Sequence, residues 1–155
     1  MARLRLAQLV TAMLLVSGVI MVQIAAAQTT SALPDADVSG TYSFLRDGET
    51  VQLSIEHGHV KGFVSRFGNS DSDRGTMLDH SISDGTLSGT ELAFTTSPIH
   101  AVWYRFAGRV ERGTGVDRGA SRYYVLRGTL TEFSEDAEHH VASRYREVEF
   151  RSMAE

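Results

Sequence analysis

The sequence predicts an all-β domain, an antiparallel meander of about eight strands that closes into a small β-barrel. After residue 37, apolar side chains recur at every second position over short runs, which is the period of a half-buried strand. Turn-forming pairs such as Asp-Gly separate those runs at the spacing of hairpins. No stretch of helical period stands between them, so a mixed α/β fold is not expected.

Residues 1–27 are predicted to be a secretory signal peptide that is not part of the fold. Arg3 and Arg5 give a basic start, the run from residue 6 to 24 is almost wholly apolar, and Ala25-Ala26-Ala27 offers small residues for cleavage. An uncleaved membrane anchor is the alternative, because the apolar run approaches the ~20 residues that span a bilayer. Cleavage after Ala27 would release a protein that works in the periplasm or outside the cell.

Composition excludes several kinds of site. The 155-residue chain has no cysteine, so disulfides, thiolate metal ligands and cysteine nucleophiles are excluded. Loss of Arg3 and Arg5 with the signal would leave 13 of the 15 basic residues against 19 acidic ones, a net charge of −6. That acidic balance argues against a nucleic-acid partner, because phosphates need a basic surface.

The mature chain divides into a leader and one domain. Residues 28–37 are small and polar and predict a flexible leader, and residues 38–155 are predicted to form a single β-barrel domain. The clearest strand is 50–56, where Val51, Leu53 and Ile55 alternate with polar residues. The other predicted strands are 38–45, 59–66, 91–96, 100–111, 121–133 and 141–152, with one or two short strands inside 77–90.

Glycines within the strands favour a barrel over a two-sheet sandwich. Gly40, Gly62, Gly108 and Gly128 each fall on the apolar phase of a strand, where glycine allows a sharp bend. The side chains predicted to lie inside are mostly large, which favours a filled interior. They are Tyr42, Phe44, Leu53, Ile55, Val64, Leu92, Phe94, Tyr104, Phe106, Leu126, Val148 and Phe150.

Short motifs show a resemblance to known barrels. Ser39-Gly40-Thr41-Tyr42 resembles the opening of the first strand in lipocalin and avidin barrels, with tyrosine in place of their tryptophan. Residues 85–94, GTLSGTELAF, are similar to the repeated hairpin of small calycin-like barrels. The chain is also similar to uncharacterised exported bacterial proteins. The resemblance implies a small lipocalin- or avidin-like β-barrel, with ligand binding as the habit of that family.

A candidate metal site lies in and after a polar loop. Asp71 and Asp73 stand two residues apart in a loop that leads to Asp79 and His80, and alternate oxygen ligands of this kind hold calcium. These four residues would serve a metal-dependent enzyme, which is the alternative function. A solvated loop of turn-forming residues is the simpler interpretation.

A candidate contact surface lies on the predicted strand 100–111. Trp103 stands on the opposite phase from Tyr104 and Phe106, together with arginines, and such mixtures are typical of protein contact surfaces. Arginine stacking without a partner, or a register in which Trp103 joins the core, are the alternatives. We call this predicted ligand or partner surface the Trp103 face; it comprises Trp103, Arg105, Arg109, Tyr123 and Arg127.

The strand ends carry a further expectation. Arg144 and Arg146 fall on the inward phase of 141–152, where they either bind an anion at the barrel mouth or mark the frayed start of the strand. In a meander of eight strands, alternate hairpin loops share one end of the barrel. Those loops would be 46–49, 67–76, 97–98 and 134–140, and a ninth strand would separate them.

The sequence therefore predicts an exported, non-enzymatic binding or interaction module. A small apolar ligand at a barrel mouth and a protein partner on the Trp103 face are both consistent with it. We expect no cofactor and no nucleic acid. We also expect no membrane contact after signal cleavage, because outward residues such as Gln52 and Glu56 do not suit lipid.

Overall fold

The computed structural model describes residues 35–154, which form an all-β fold. Eight antiparallel strands follow one another in a single sheet in chain order, and the sheet curls into a half-barrel. One turn of helix precedes them. The elements are α1 (Asp35–Val38), β1 (Gly40–Ser43), β2 (Thr50–Glu56), β3 (His59–Phe67), β4 (Met77–Ser88), β5 (Glu91–Thr96), β6 (Val102–Arg112), β7 (Tyr124–Glu135) and β8 (Val141–Arg151).

The predicted signal peptide, 1–27, and most of the predicted leader lie outside the described residues. Between residues 35 and 154, no helix has the length and apolar character needed to cross a membrane. The end of the leader differs from its prediction, because residues 35–38 form the helical turn α1. Val38 is fully buried, and Asp35 Oδ2 accepts a hydrogen bond from the Gly58 amide at 2.8 Å, so contacts from a distant turn order this segment.

The region 77–90 forms one long strand rather than one or two short ones. β4 pairs with β5 along most of its length, and the register shifts between Ile82 and Asp84. A β-bulge of this kind adds a residue to one strand and changes the face on which the following side chains lie. Inward-facing and outward-facing residues therefore do not alternate regularly through β4, although its pairing with β5 continues. Residues 35–154 thus contain eight strands, and the predicted meander is confirmed.

The concave face of the sheet holds a closely packed core. Every predicted interior residue is buried except Val148, which is half-buried against the same cluster. Aromatic rings fill the centre: Phe94 stacks on Phe106 at 5.4 Å between centroids, and Phe150 lies 5.6 Å from Phe106. Burial of each large apolar side chain contributes roughly 1.5–3 kcal/mol, so this cluster is the main source of stability.

A pair of glycines sets the closest approach of two strands. Gly108 of β6 lies directly opposite Gly128 of β7. A Cβ on Gly108 would lie 2.1 Å from the carbonyl oxygen of Arg127, and one on Gly128 would lie 2.3 Å from that of Ala107. The backbones therefore approach more closely at this pair than any residue with a side chain permits.

Alternating strand directions group the loops at two ends. The loops after β1, β3, β5 and β7 share one end, called here the upper end, as an eight-strand meander requires. Asp73 and His100, from two of those loops, hydrogen-bond at 2.8 Å across this end. The turns after β2 and β4, the 113–123 loop and α1 lie at the lower end.

The first and last strands meet over a short distance. Tyr42 and Ser152 form an isolated antiparallel bridge, and the Arg151 amide donates to Ser43 Oγ at 3.0 Å. β1 has only 4 residues, whereas β8 has 11. Most of the outer edge of β8 therefore has no strand beside it among the residues described.

Candidate functional site

An aromatic patch lies on the convex face of β6, β7 and β8; it comprises Trp103, Arg105, Phe133 and Tyr145. Trp103 and Phe133 are cross-strand partners, and their rings stack 5.2 Å apart at an interplanar angle of 8°. The Arg105 guanidinium lies 5.5 Å from the centre of the Phe133 ring. Tyr145 is 78% exposed and lies opposite Thr131, which in turn faces Arg105. These residues present a flat, polarisable surface to solvent.

Trp103 is therefore not a core residue. Its neighbour Tyr104 is completely buried on the concave face, and Trp103 is half-buried on the opposite one. Because side chains alternate along a strand, the two cannot share a face. Of the predicted Trp103 face, Trp103 and Arg105 lie together in the aromatic patch.

Arg109 and Arg127 belong to a separate ladder of ion pairs. They lie directly opposite each other on β6 and β7, so their like charges need neighbours of opposite sign. Arg109 pairs with Glu91 at 2.7 Å, and Arg127 pairs with Glu149 at 2.7 Å and with Glu111 at 3.4 Å. These acidic partners already neutralise both arginines.

Tyr123 lies away from the aromatic patch, just before β7 at the lower end. The guanidinium of Arg112 lies 3.4 Å from the centre of its ring, and the Arg112 side chain donates to the Tyr123 carbonyl. Arg122 has a left-handed φ of 64°, which breaks the strand alternation immediately before Tyr123. The structure thus divides the predicted Trp103 face among the aromatic patch, the ion-pair ladder and this stacked pair.

The residues of the candidate metal site do not converge. Asp71 is exposed and pairs with Arg74 at 2.8 Å within its own loop. Asp79 points outward and accepts a hydrogen bond from Ser65 Oγ at 2.5 Å, whereas His80 is fully buried on the concave side. Successive residues of a strand face opposite ways, so Asp79 and His80 cannot bind one ion from this strand.

Asp73 joins two loops of the upper end. Its carboxylate is 5% exposed and accepts hydrogen bonds from the Ser70 amide, Ser70 Oγ and His100 Nδ1. The Ser70 hydroxyl and then His100 lower the pKa of Asp73 to about 2. Asp73 is thus occupied in holding its loop in shape.

Another group of metal-ligating side chains lies at the tip of the β7–β8 hairpin. Asp136, Glu138 and His140 bring one ligand atom each within 4.8 Å, and all three are exposed. Asp136 Oδ1 accepts the amides of both Glu138 and His140, which is the bonding of a tight turn. Turn formation accounts for this group.

A buried polar cluster lies inside the upper end and was not predicted. Arg66 and His80 are 4% and 0% exposed, and Arg66 Nε donates to His80 Nε2 at 3.3 Å. His80 Nδ1 is buried without a hydrogen-bond partner in residues 35–154. Burial and then the positive charge of Arg66 lower the pKa of His80. Tyr104, whose ring contacts His80, donates to Glu132 at 3.2 Å.

Glu49 completes this cluster from the loop before β2. It is 3% exposed and accepts hydrogen bonds from the amides of Arg46 and Phe67, both at 3.1 Å. The cluster can be recognised in the sequence, because each of its members stands at the two-residue spacing of the apolar, inward-facing residues of its strand. Arg66 follows Val64, and His80 lies between Leu78 and Ile82 at spacings of two.

A small cavity opens at the lower end, between α1, β1 and the 113–123 loop. Its volume is about 200 Å³, and it is lined by Asp37, Tyr42, Arg118 and Tyr124, among others. Asp37 Oδ1 accepts from Arg118 at 2.5 Å, and Oδ2 is buried without a partner within the part of the chain described. Its polar lining differs from the apolar barrel mouth that the sequence suggested for a ligand.

No protein-family model, no curated protein and no solved structure matches this chain.

Proposed function

We propose that this protein is an exported, non-enzymatic interaction module whose partner is another protein that binds the aromatic patch. The observation that carries the proposal is the stacked pair of Trp103 and Phe133 on a convex strand face, flanked by Arg105 and an exposed Tyr145. Tryptophan, tyrosine and arginine are the residues most enriched where truncation weakens protein complexes. Their rings bury a large area at a small cost in conformational entropy.

A packed interior supports a protein partner over a small apolar ligand. Tyr42, Phe94, Tyr104, Phe106 and Phe150 are all at most 2% exposed, and they fill the concave side of the sheet. A small eight-stranded barrel either holds a ligand or is filled by its own side chains. The filled interior leaves the outer face as the surface available for binding.

The proposal includes closure of the sheet into a barrel and export of the chain. Closure is supported by the bridge between Tyr42 and Ser152 and by the bond from Arg151 to Ser43. This contact joins the ends of β1 and β8, leaves the rest of the β8 edge unpaired among the described residues, and gives the sheet that carries the patch a rigid support. Export follows from the signal pattern of residues 1–27, and the mature chain would begin at Gln28.

Site-specific photo-crosslinking in the native host tests the proposal. Thr131 lies between Arg105 and Tyr145 at the centre of the patch, so a photoreactive residue there would contact the partner. Gln52, exposed on the outer face of β2, is the matched control position. We expect a discrete protein adduct from position 131 that Trp103→Ala abolishes, and none from position 52. Equal adducts at both positions, or none at 131, would contradict the proposal.

Trp103 also supplies a direct optical readout. It is the only tryptophan of the chain, so its fluorescence reports this surface alone. Once the adduct identifies the partner, the purified partner should shift or quench that emission on binding. Binding without any change in Trp103 emission would place the contact elsewhere.

A further inference from the structure

The outer edge of β8 presents an unpaired row of backbone groups. The Ser152 amide donates to Tyr124 of β7, whereas the Arg151 and Met153 amides point the other way, to Ser43 and Thr41 of β1. Backbone directions alternate along a strand, so the odd-numbered residues of β8 direct their N–H and C=O groups to the outer edge. These are Val141, Ser143, Tyr145, Glu147 and Glu149. Between residues 35 and 154, no strand pairs with them.

Space for an added chain exists beside this edge. Every residue from 141 to 147 is exposed, on both faces of the strand. At Glu149 and Arg151 the edge borders a groove of about 380 Å³, whose other side is the loop from Phe44 to Thr50. The edge is thus open along its length and leads into a groove where β1 ends.

Two cations on the concave side of β8 form no ion pair within residues 35–154. Arg144 lies opposite Glu132 and Arg146 opposite Leu130, and both arginines are exposed. Among the described residues, neither has a carboxylate oxygen within 4 Å, whereas Arg109, Arg127 and Arg151 are all ion-paired. A strand added at this edge would place its own side chains directly beside these two positive charges.

The charge pattern opposes pairing of β8 with a second copy of itself. In a two-fold antiparallel pair centred on residue 145, Arg144 faces Arg146 of the other copy. If the pair is instead centred on Arg144, on Arg146 or on Glu147, the central residue lies directly opposite the same residue of the other copy. Like charges directly opposite destabilise a strand pair, so a register centred on any of 144 to 147 is disfavoured.

We propose that the open edge of β8 binds an extended segment of the partner protein as an added strand, with acidic side chains at alternate positions facing Arg144 and Arg146. This inference rests on the proposed function, because it names how the partner of the aromatic patch is held. Tyr145 belongs both to the patch and to the edge, so one partner can contact both. Main-chain hydrogen bonds supply affinity in such strand addition, and alternate side chains supply specificity.

A peptide titration of the full mature protein tests the inference. The probe is a short capped peptide of alternating glutamate and threonine, and the matched probe carries lysine in place of glutamate. We expect the acidic peptide to slow hydrogen exchange at the amides of Ser143, Tyr145 and Glu147, and the basic peptide to leave them unchanged. The double variant Arg144→Glu with Arg146→Glu should bind the acidic peptide about tenfold more weakly. The control, Lys61→Glu on an exposed site of β3, should bind it unchanged.

The outcomes separate this inference from the proposed function. If position 131 crosslinks to a partner while the β8 amides stay unprotected in that complex, the partner binds the patch without adding a strand, and the inference is wrong. Equal binding of the acidic and basic peptides would also overturn it, as would concentration-dependent dimerisation through β8. If the acidic peptide protects the edge but no crosslink forms at 131, the proposed function fails and the edge binds an acidic strand alone.

Discussion

Arg66 and His80 place two basic side chains in contact inside the half-barrel. The imidazole accepts a hydrogen bond from the guanidinium, which requires its neutral form. Protonation would remove that acceptor and set a second positive charge beside the first in a buried setting. Tyr104 packs against the pair; the Ser97 backbone and Asp79 favour the protonated form of His80, and His100 opposes it. His80 therefore links the stability of the upper end to pH.

We predict that the protein loses stability as the pH falls below about 6.5, the ordinary pKa of histidine. Because the pKa of His80 is lowered in the folded state, the unfolded chain binds the proton more readily. The stabilisation is complete above the unfolded-state pKa and is lost as the pH falls towards the folded-state one. The free energy of unfolding should fall by at most about 1.4 kcal/mol per pH unit from this group.

Urea unfolding at pH 8, 7, 6 and 5 measures this effect. His80→Gln is the control, because glutamine keeps an acceptor for Arg66 and does not titrate. Between pH 7 and pH 5, the free energy of unfolding of the variant should fall less steeply than that of the unsubstituted protein. Identical slopes for the two proteins would show that His80 does not carry the effect.

At the scale of the element, the contact between β6 and β7 depends on the facing glycines. We predict that Gly108→Ala and Gly128→Ala each destabilise the protein by about 1–3 kcal/mol, because the new methyl group would overlap a backbone carbonyl of the other strand. Ala107→Val is the matched control on the exposed side of the same strand, where a β-branched residue suits the sheet. Thermal unfolding of the three variants tests this prediction. Equal losses of stability in all three would show that the effect does not depend on the close approach at the facing glycines.

Regular alternation decided which elements could be predicted. β2 and β5 have the predicted bounds, because each alternates strictly between buried and exposed residues over most of its length. The sequence predicts one or two short strands in place of β4, because Asp84-Gly85 reads as a turn, whereas the structure has a β-bulge there and the strand continues. No sequence pattern indicates the helical turn α1, because a hydrogen bond from Gly58, which is distant in sequence, helps to order it. Long-range contacts of this kind leave no periodic signal.

The same limits apply to the candidate sites. Strand phase predicts that Trp103 and Arg105 lie on the outer face, with a register that buries Trp103 as the alternative, and in the structure both lie on the outer face. The sequence predicts Tyr123 on the same face because the predicted strand begins at residue 121, whereas β7 begins at Tyr124, after the left-handed turn at Arg122. The open edge of β8 could not be predicted, since it results from the short β1. Alternation along a strand predicts the face on which a residue lies, but it does not predict whether the edge of that strand is paired.

For the whole molecule, the contact between β1 and β8 determines whether the half-barrel closes. We predict that the double variant Ser43→Cys with Arg151→Cys forms an intramolecular disulfide under mild oxidation, because these residues meet across the two edges. A closed loop of this length should stabilise the protein by up to about 4.7 kcal/mol. The chain has no cysteine of its own, so no other disulfide competes.

Mass spectrometry and thermal unfolding, with and without reductant, measure closure. The control pair Ser43→Cys with Glu147→Cys lies too far along the edge to bridge. Disulfide formation in the control but not in the test pair would contradict the observed register. Failure of both pairs would argue against closure of the sheet.

The short β1 has a consequence for the order in which the fold can form. Each strand pair joins neighbours in the chain, but the bond from Arg151 to Ser43 spans 108 residues. The entropy lost on closing a loop grows with its length, so this contact forms after the others. Under the export that we propose, β1 would leave the translocation channel early and would wait for β8, the last of the eight strands in residues 35–154, before the two edges could meet.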